Sequence, residues 1–126
     1  MAVKFFKCSI CGNVVEKVVD SGVPVVCCGK PMELLVAHTE DAGGEKHVPV
    51  VTKLNDCTIK VEVGSVAHPM LPEHHIAFIY VENENGGLRV DLPHDGKPEA
   101  EFCTCSGKPI AVYEYCNLHG LWKKKL

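Results

Sequence analysis

The sequence predicts an all-β protein: a small four-cysteine metal domain followed by an antiparallel β-sandwich of the immunoglobulin-like kind. Three observations predict it. Short apolar runs, some alternating with period two, are separated by glycine, proline, asparagine and aspartate, the pattern of strands joined by turns. From Glu45 onward no convincing helical period is visible. Cys8, Cys11, Cys27 and Cys28 crowd into the first quarter of the chain, where too few residues are present to stabilise a fold by apolar burial alone.

The first domain spans residues 1–36, with strands predicted over Val3–Lys7, Asn13–Val19 and Glu33–Val36. Its staple is Cys8-Ser9-Ile10-Cys11 together with Cys27-Cys28-Gly29. A Cys-x-x-Cys turn points backbone amides at the sulfurs, and Gly12 and Gly29 permit the tight turns that such knuckles need. Four thiolates around one metal follow. Zinc ribbons usually carry two Cys-x-x-Cys knuckles; the adjacent pair Cys27-Cys28 departs from that and favours mononuclear iron. Residues 37–44 are polar and glycine-ended and read as a linker, with His38 solvated on its surface.

The second domain completes residues 37–126. Thr58-Ile59-Lys60-Val61-Glu62-Val63 alternates strictly, which makes it a half-buried strand. Further strands are predicted over Val48–Leu54, His75–Glu82, Leu88–Leu92, Glu99–Cys105 and Ile110–Cys116. Turn-forming runs, among them Asn85-Gly86-Gly87 and Asp95-Gly96-Lys97-Pro98, separate them. Six or seven short strands at this spacing favour a sandwich. Cys57, Cys103 and Cys105 read as small buried hydrophobes, His94 as a solvated turn residue, and Lys123-Lys124-Lys125 as a solvated tail.

Composition narrows the function. The 126 residues are 46% hydrophobic and 23% charged, with a formal net charge of −3. That balance leaves no basic footprint for nucleic acid, and no apolar run approaches the roughly 20 residues of a membrane helix. The lysine-interrupted start has no secretory pattern, so a cytoplasmic location is expected. Eight cysteines in a reducing compartment point to metal rather than to disulfides.

A second constellation carries the chemistry: His47, His68, His74, Cys116 and His119, all at strand ends or in loops. Loops at one end of a sandwich can converge on a point. Zinc takes four ligands, whereas four imidazoles and one thiolate suit a redox-capable iron with one position open.

The motifs Cys8-x-x-Cys11, Cys27-Cys28-Gly29-Lys30-Pro31-Met32, Glu45-Lys46-His47-Val48-Pro49, His68-Pro69-Met70 with His74, and Tyr115-Cys116-Asn117-Leu118-His119-Gly120-Leu121-Trp122 span nearly the whole chain. On them the chain closely resembles desulfoferrodoxin, the two-iron form of superoxide reductase. The resemblance implies a desulforedoxin-like first domain, with iron on Cys8, Cys11, Cys27 and Cys28. It implies a catalytic iron with His47, His68, His74 and His119 in a plane and Cys116 on the axis. Superoxide would be reduced to hydrogen peroxide without oxygen production. Lys46 would attract the anion, and Glu45 would take the sixth position in the oxidised state. A rubredoxin-like electron donor and a homodimer are further implications. His75 departs from the aromatic residue expected there and is assigned to a strand face. Two rival readings are an electron-transfer metalloprotein with copper or iron, and a zinc-stabilised binding module.

Overall fold

The computed structural model describes residues 3–41 and 46–126. The chain divides into two compact units, Met1–Val36 and Ala37–Leu126. Glu45, expected to act at the second site, lies outside the described residues.

In the first unit, strands β1 (Phe5–Lys7), β2 (Val14–Glu16) and β5 (Glu33–Leu34) form an antiparallel sheet in the order β2-β1-β5. The three predicted strands are present but shorter. Val18 and Val19, expected within a strand, follow β2 and are 81% and 87% exposed. A two-stranded hairpin, β3 (Val26–Cys27) with β4 (Lys30–Pro31), was not predicted; two residues per strand leave no periodicity to read. Among the described residues, Phe5, Cys8 and Met32 supply the buried apolar side chains of this unit, against exposed Val18, Val19, Val23, Val26, Leu34 and Val36. So little burial cannot offset the conformational entropy of some thirty residues. The cysteine knuckles must contribute the difference.

The second unit is all β among the described residues. Its strands are β6 (Pro49–Asn55), β7 (Thr58–Val63), β8 (Ile76–Asn83), β9 (Gly86–Asp91), β10 (Glu99–Cys103), β11 (Pro109–Cys116) and β12 (Gly120–Lys125). Two antiparallel sheets result, β10-β7-β6 and β12-β11-β8-β9. The seven strands match the immunoglobulin-like count, with β9 on the sheet of β8, β11 and β12 rather than on that of β6, β7 and β10. Ile59, Val61 and Val63 of β7 face Ile79, Val81, Val112 and Cys116 across the core, as strict alternation dictates. The other face of β8 and β11 is closed by its own aromatics: Phe78 stacks on Tyr115 at 5.8 Å and Tyr80 meets Tyr113 at 6.2 Å.

Four expectations need correction. Lys123, Lys124 and Lys125 are not a tail but pair with Tyr113, Val112 and Ala111 as the outer strand β12. His38 is exposed yet fixed: its amide donates to Leu121 O (2.9 Å), its carbonyl accepts from Lys123 N (2.8 Å), and its ring lies 4.7 Å from Trp122. The linker reading therefore fails at His38. The strand predicted over Glu99–Cys105 ends at Cys103. Cys57, Cys103 and Cys105 are exposed rather than buried, because each lies in or beside a turn at the end of the smaller sheet. His94 is exposed in a turn, and no described helix is long and apolar enough to cross a membrane.

Strand direction gathers the remaining motifs at one pole of the sandwich. His47 precedes β6, His68 and His74 lie between β7 and β8, Cys116 ends β11, and His119 is in the turn to β12.

Candidate metal centres

In the first unit the four cysteines come from two facing turns. Gly12 and Gly29 follow each pair at φ of 81° and 74°, where a side chain would be strained. The amide of Gly12 donates to Cys8 O (3.0 Å) and that of Cys11 to Cys8 Sγ (3.5 Å). Cys28 itself has φ of 53°, the left-handed region that non-glycine residues rarely occupy. That turn lets two adjacent residues aim both sulfurs inward. All four sulfurs lie within 4.8 Å of one another, with Cys11 to Cys27 at 3.6 Å and Cys27 to Cys28 at 4.0 Å. A tetrahedron with metal–sulfur bonds of about 2.3 Å has edges of about 3.8 Å, so the set fits one ion. Backbone amides of Cys11 and Ile10 lower the Cys8 thiol to about 6. Contact with Cys11 first, then Cys8 and Cys27, pushes Cys28 up to about 12. Sulfurs this close cannot all ionise on their own; a cation balances the charge.

In the second unit four imidazoles close into a ring. Successive centroids are 4.7 Å (His47–His68), 4.7 Å (His68–His74), 5.1 Å (His74–His119) and 4.9 Å (His119–His47), each pair tilted by 60° to 84°. Cys116 Sγ is 3.7 Å from His68 Nε2 and 3.7 Å from His119 Nδ1. Those two are opposite corners of the ring, so the sulfur is equidistant across the diagonal, as an atom on the axis would be. His47 Nε2 and His68 Nε2 are 3.0 Å apart, the edge expected between neighbouring nitrogens bonded at about 2.1 Å and at right angles. All five ligand atoms fall within 4.8 Å of one another. The donor set and spacing fit a single ion with a square base and one sulfur below it.

Surrounding groups fix these rings. His68 Nδ1 meets Pro69 O at 2.8 Å, which leaves Nε2 to face inward. The His47 ring stacks on Trp122 at 4.6 Å and 13°. Asp41 Oδ1 accepts from the amides of His47 (2.6 Å) and Val48 (3.0 Å). Asn117 ties two ligand loops together: its Oδ1 accepts from His75 N (2.8 Å) and its Nδ2 donates to Glu73 O (3.0 Å). Lys46 is half-buried, and its backbone lies so close to Gly64 that a Cβ there would meet Lys46 O at 2.6 Å. His47, His68 and Cys116 are buried, His74 is half-buried and His119 is exposed, so the ring opens to solvent on one side. Burial first, then Asp41, raises the Glu114 carboxyl to about 9. His75 stays outside the ring, its Nδ1 2.9 Å from Leu71 O.

Sequence reasoning did not single out Asp41, Asn117, Gly64, Trp122 or Glu114. Asn117, between Cys116 and His119, carried the one usable signal: an amide side chain in a ligand-bearing turn commonly bonds backbone.

Together the fold and sites define a class, a two-centre β protein with a tetrathiolate site and a four-imidazole, one-thiolate site. The family model described as desulfoferrodoxin, N-terminal domain, matches residues 2–35, and the one described as desulfoferrodoxin matches residues 39–125. The chain is similar to a desulfoferrodoxin of Syntrophotalea carbinolica, 50% identical over 120 residues, covering 95% of this chain and 94% of that one. It is also similar to a superoxide reductase of Pyrococcus horikoshii, 36% identical over 103 residues, covering 68% of this chain and 90% of that one. Among solved structures, a superoxide reductase from Treponema pallidum superposes with a TM-score of 0.83 at 36% identity, covering 98% of both chains. The chain belongs to the desulfoferrodoxin family.

Proposed function

We infer that this chain is a superoxide reductase with two mononuclear irons. The observation that supports the reading most directly is the closed ring of four imidazoles with Cys116 Sγ equidistant from His68 Nε2 and His119 Nδ1. The reaction takes one superoxide, one electron and two protons to one hydrogen peroxide, with no oxygen formed. Bound iron would supply the electron, and the Cys116 thiolate would favour its release by the same electron donation that thiolate gives haem iron. Neutral imidazoles keep the ring from repelling the anion.

His47, His68, His74, His119 and Cys116 hold the catalytic iron; Cys8, Cys11, Cys27 and Cys28 hold the other. Residues 1–36 form the tetrathiolate iron domain and residues 37–126 the catalytic domain. Lys46 attracts superoxide toward the open side and stabilises the charge that develops on reduction. Glu45, by the family resemblance, would supply a carboxylate ligand to the iron once it is oxidised. A rubredoxin-like protein returns the electron, the protein acts in the cytoplasm, and the chain pairs as a homodimer. Metal analysis joined to pulse radiolysis tests the reading. The expected result is two irons per chain and superoxide consumption that yields peroxide without oxygen; zinc alone, or one copper, would overturn it.

A further inference from the structure

Three cysteines belong to neither metal centre, and they meet at the pole of the sandwich opposite the imidazole ring. Cys57 lies in the turn between β6 and β7, Cys103 ends β10 opposite Thr58, and Cys105 follows in the next turn. The two turns are joined directly: Thr104 N donates to Cys57 O at 2.7 Å. Cys57 is fixed from its other side by Asn55 Oδ1, which accepts its amide at 2.8 Å. The Thr104–Cys57 bond sets Cys103 and Cys105, on either side of Thr104, beside Cys57. All three are exposed. Strand β6 alone, at seven residues, separates this cluster from His47 by about 20 Å at 3.3 Å per residue. The cluster is therefore independent of the ring, yet within easy diffusion of a small product released there.

We propose that Cys57 and Cys105 form a peroxide-oxidisable dithiol, converted to a disulfide by hydrogen peroxide such as the protein itself generates. The source of the oxidant rests on the reaction proposed above; the thiol chemistry does not. The Cys57 thiolate attacks one peroxide oxygen, the O–O bond breaks, and with one proton the products are a Cys57 sulfenic acid and water. The Cys105 thiol then displaces the second oxygen as water and forms the S–S bond. In total the two thiols lose two protons and two electrons, which one peroxide takes up to become two waters. Cys105 suits the second role. Contact with Cys57 and then Cys103 pushes its thiol up to about 12, so it keeps its proton and is the poorer first nucleophile. Three sulfurs could instead suggest a metal site. The two ligand groups that bring their donor atoms within 4.8 Å of one another do not include these three, whereas a disulfide needs only two.

The bond would join the β6–β7 turn covalently to the turn after β10. The test treats the full iron-loaded protein with hydrogen peroxide, and separately with a superoxide flux, and then maps non-reduced peptides by mass spectrometry. Added peroxide should cross-link the Cys57 peptide to the Cys105 peptide, with the loss of one pair of free thiols that dithiothreitol restores. Cys103→Ser should keep that cross-link. Cys105→Ser should abolish it and leave a sulfenic acid at Cys57 that dimedone traps. Cross-linking by added peroxide but not by superoxide would support the dithiol and count against the superoxide reaction. No Cys57–Cys105 cross-link under peroxide, its loss in Cys103→Ser, or a third metal equivalent lost in Cys105→Ser would each overturn the proposal.

Discussion

Lys46 faces an electrostatic handicap that a single residue can correct. The whole chain carries a formal charge of −3, which opposes the approach of an anion, while the imidazoles add none of their own. In the proposed role, a lysine next to a ligand histidine would reverse the local field. Replacing Lys46 with Ile should lower the second-order rate with superoxide by about tenfold and flatten its dependence on ionic strength. Pulse radiolysis at two salt concentrations reads both effects; an unchanged rate would remove the role. The ligands themselves were legible at this scale because imidazole and thiolate are rare enough to be counted, and their spacing put each at a strand end. Asn117 and Asp41 were not legible in the same way. Their work is done on backbone amides of His75, His47 and Val48, and for Asn117 that partner is 42 residues away in sequence.

At the scale of elements, alternation told the strands apart from the turns but not which face met the core. Thr58–Val63 was read correctly because three β-branched residues on one side leave a single choice. Cys103 and Cys105 were misread because the strand stops between them, and the run Phe102-Cys103-Thr104-Cys105 holds no glycine or proline to mark the stop. Lysine content misdirected the reading of β12. It is an outer strand of the larger sheet, and charged lysines on an outer strand discourage pairing with another chain. Lys123 also lies 5.3 Å above the Tyr113 ring. The β3–β4 hairpin shows the opposite limit, an element held by its sulfurs rather than by propensity. Removing the tetrathiolate metal should therefore unfold residues up to Val36, with loss of amide-exchange protection there, while β6 to β12 keep theirs. Equal loss of protection in both units would contradict a metal-stapled first unit.

For the whole molecule, the sequence placed its ligands in two groups but did not specify how strands are shared between sheets. The three-plus-four partition brings the β6 entry, the β7–β8 loop and the β11–β12 turn to one pole, and convergence of the ring depends on that. Each ligand set is complete within its own compact unit, four cysteines in Met1–Val36 and five residues in Ala37–Leu126. Separable chemistry follows, and it can be tested in the full chain. Cys28→Ser removes one corner of the tetrathiolate and should cost the first iron and its visible bands. The rate of superoxide consumption by the reduced protein should stay within about twofold, because no ligand or neighbour of the ring has changed; uniform loss would indicate shared machinery instead. Cys116→Ser should do the reverse, keeping the tetrathiolate bands while lowering the reaction by at least about a hundredfold, since the thiolate that would donate charge to the second iron is gone. Pulse radiolysis of both variants, with iron counted in each, decides the point. A Cys28→Ser protein that holds one iron but reacts as slowly as Cys116→Ser would show that the first centre takes part in the chemical step.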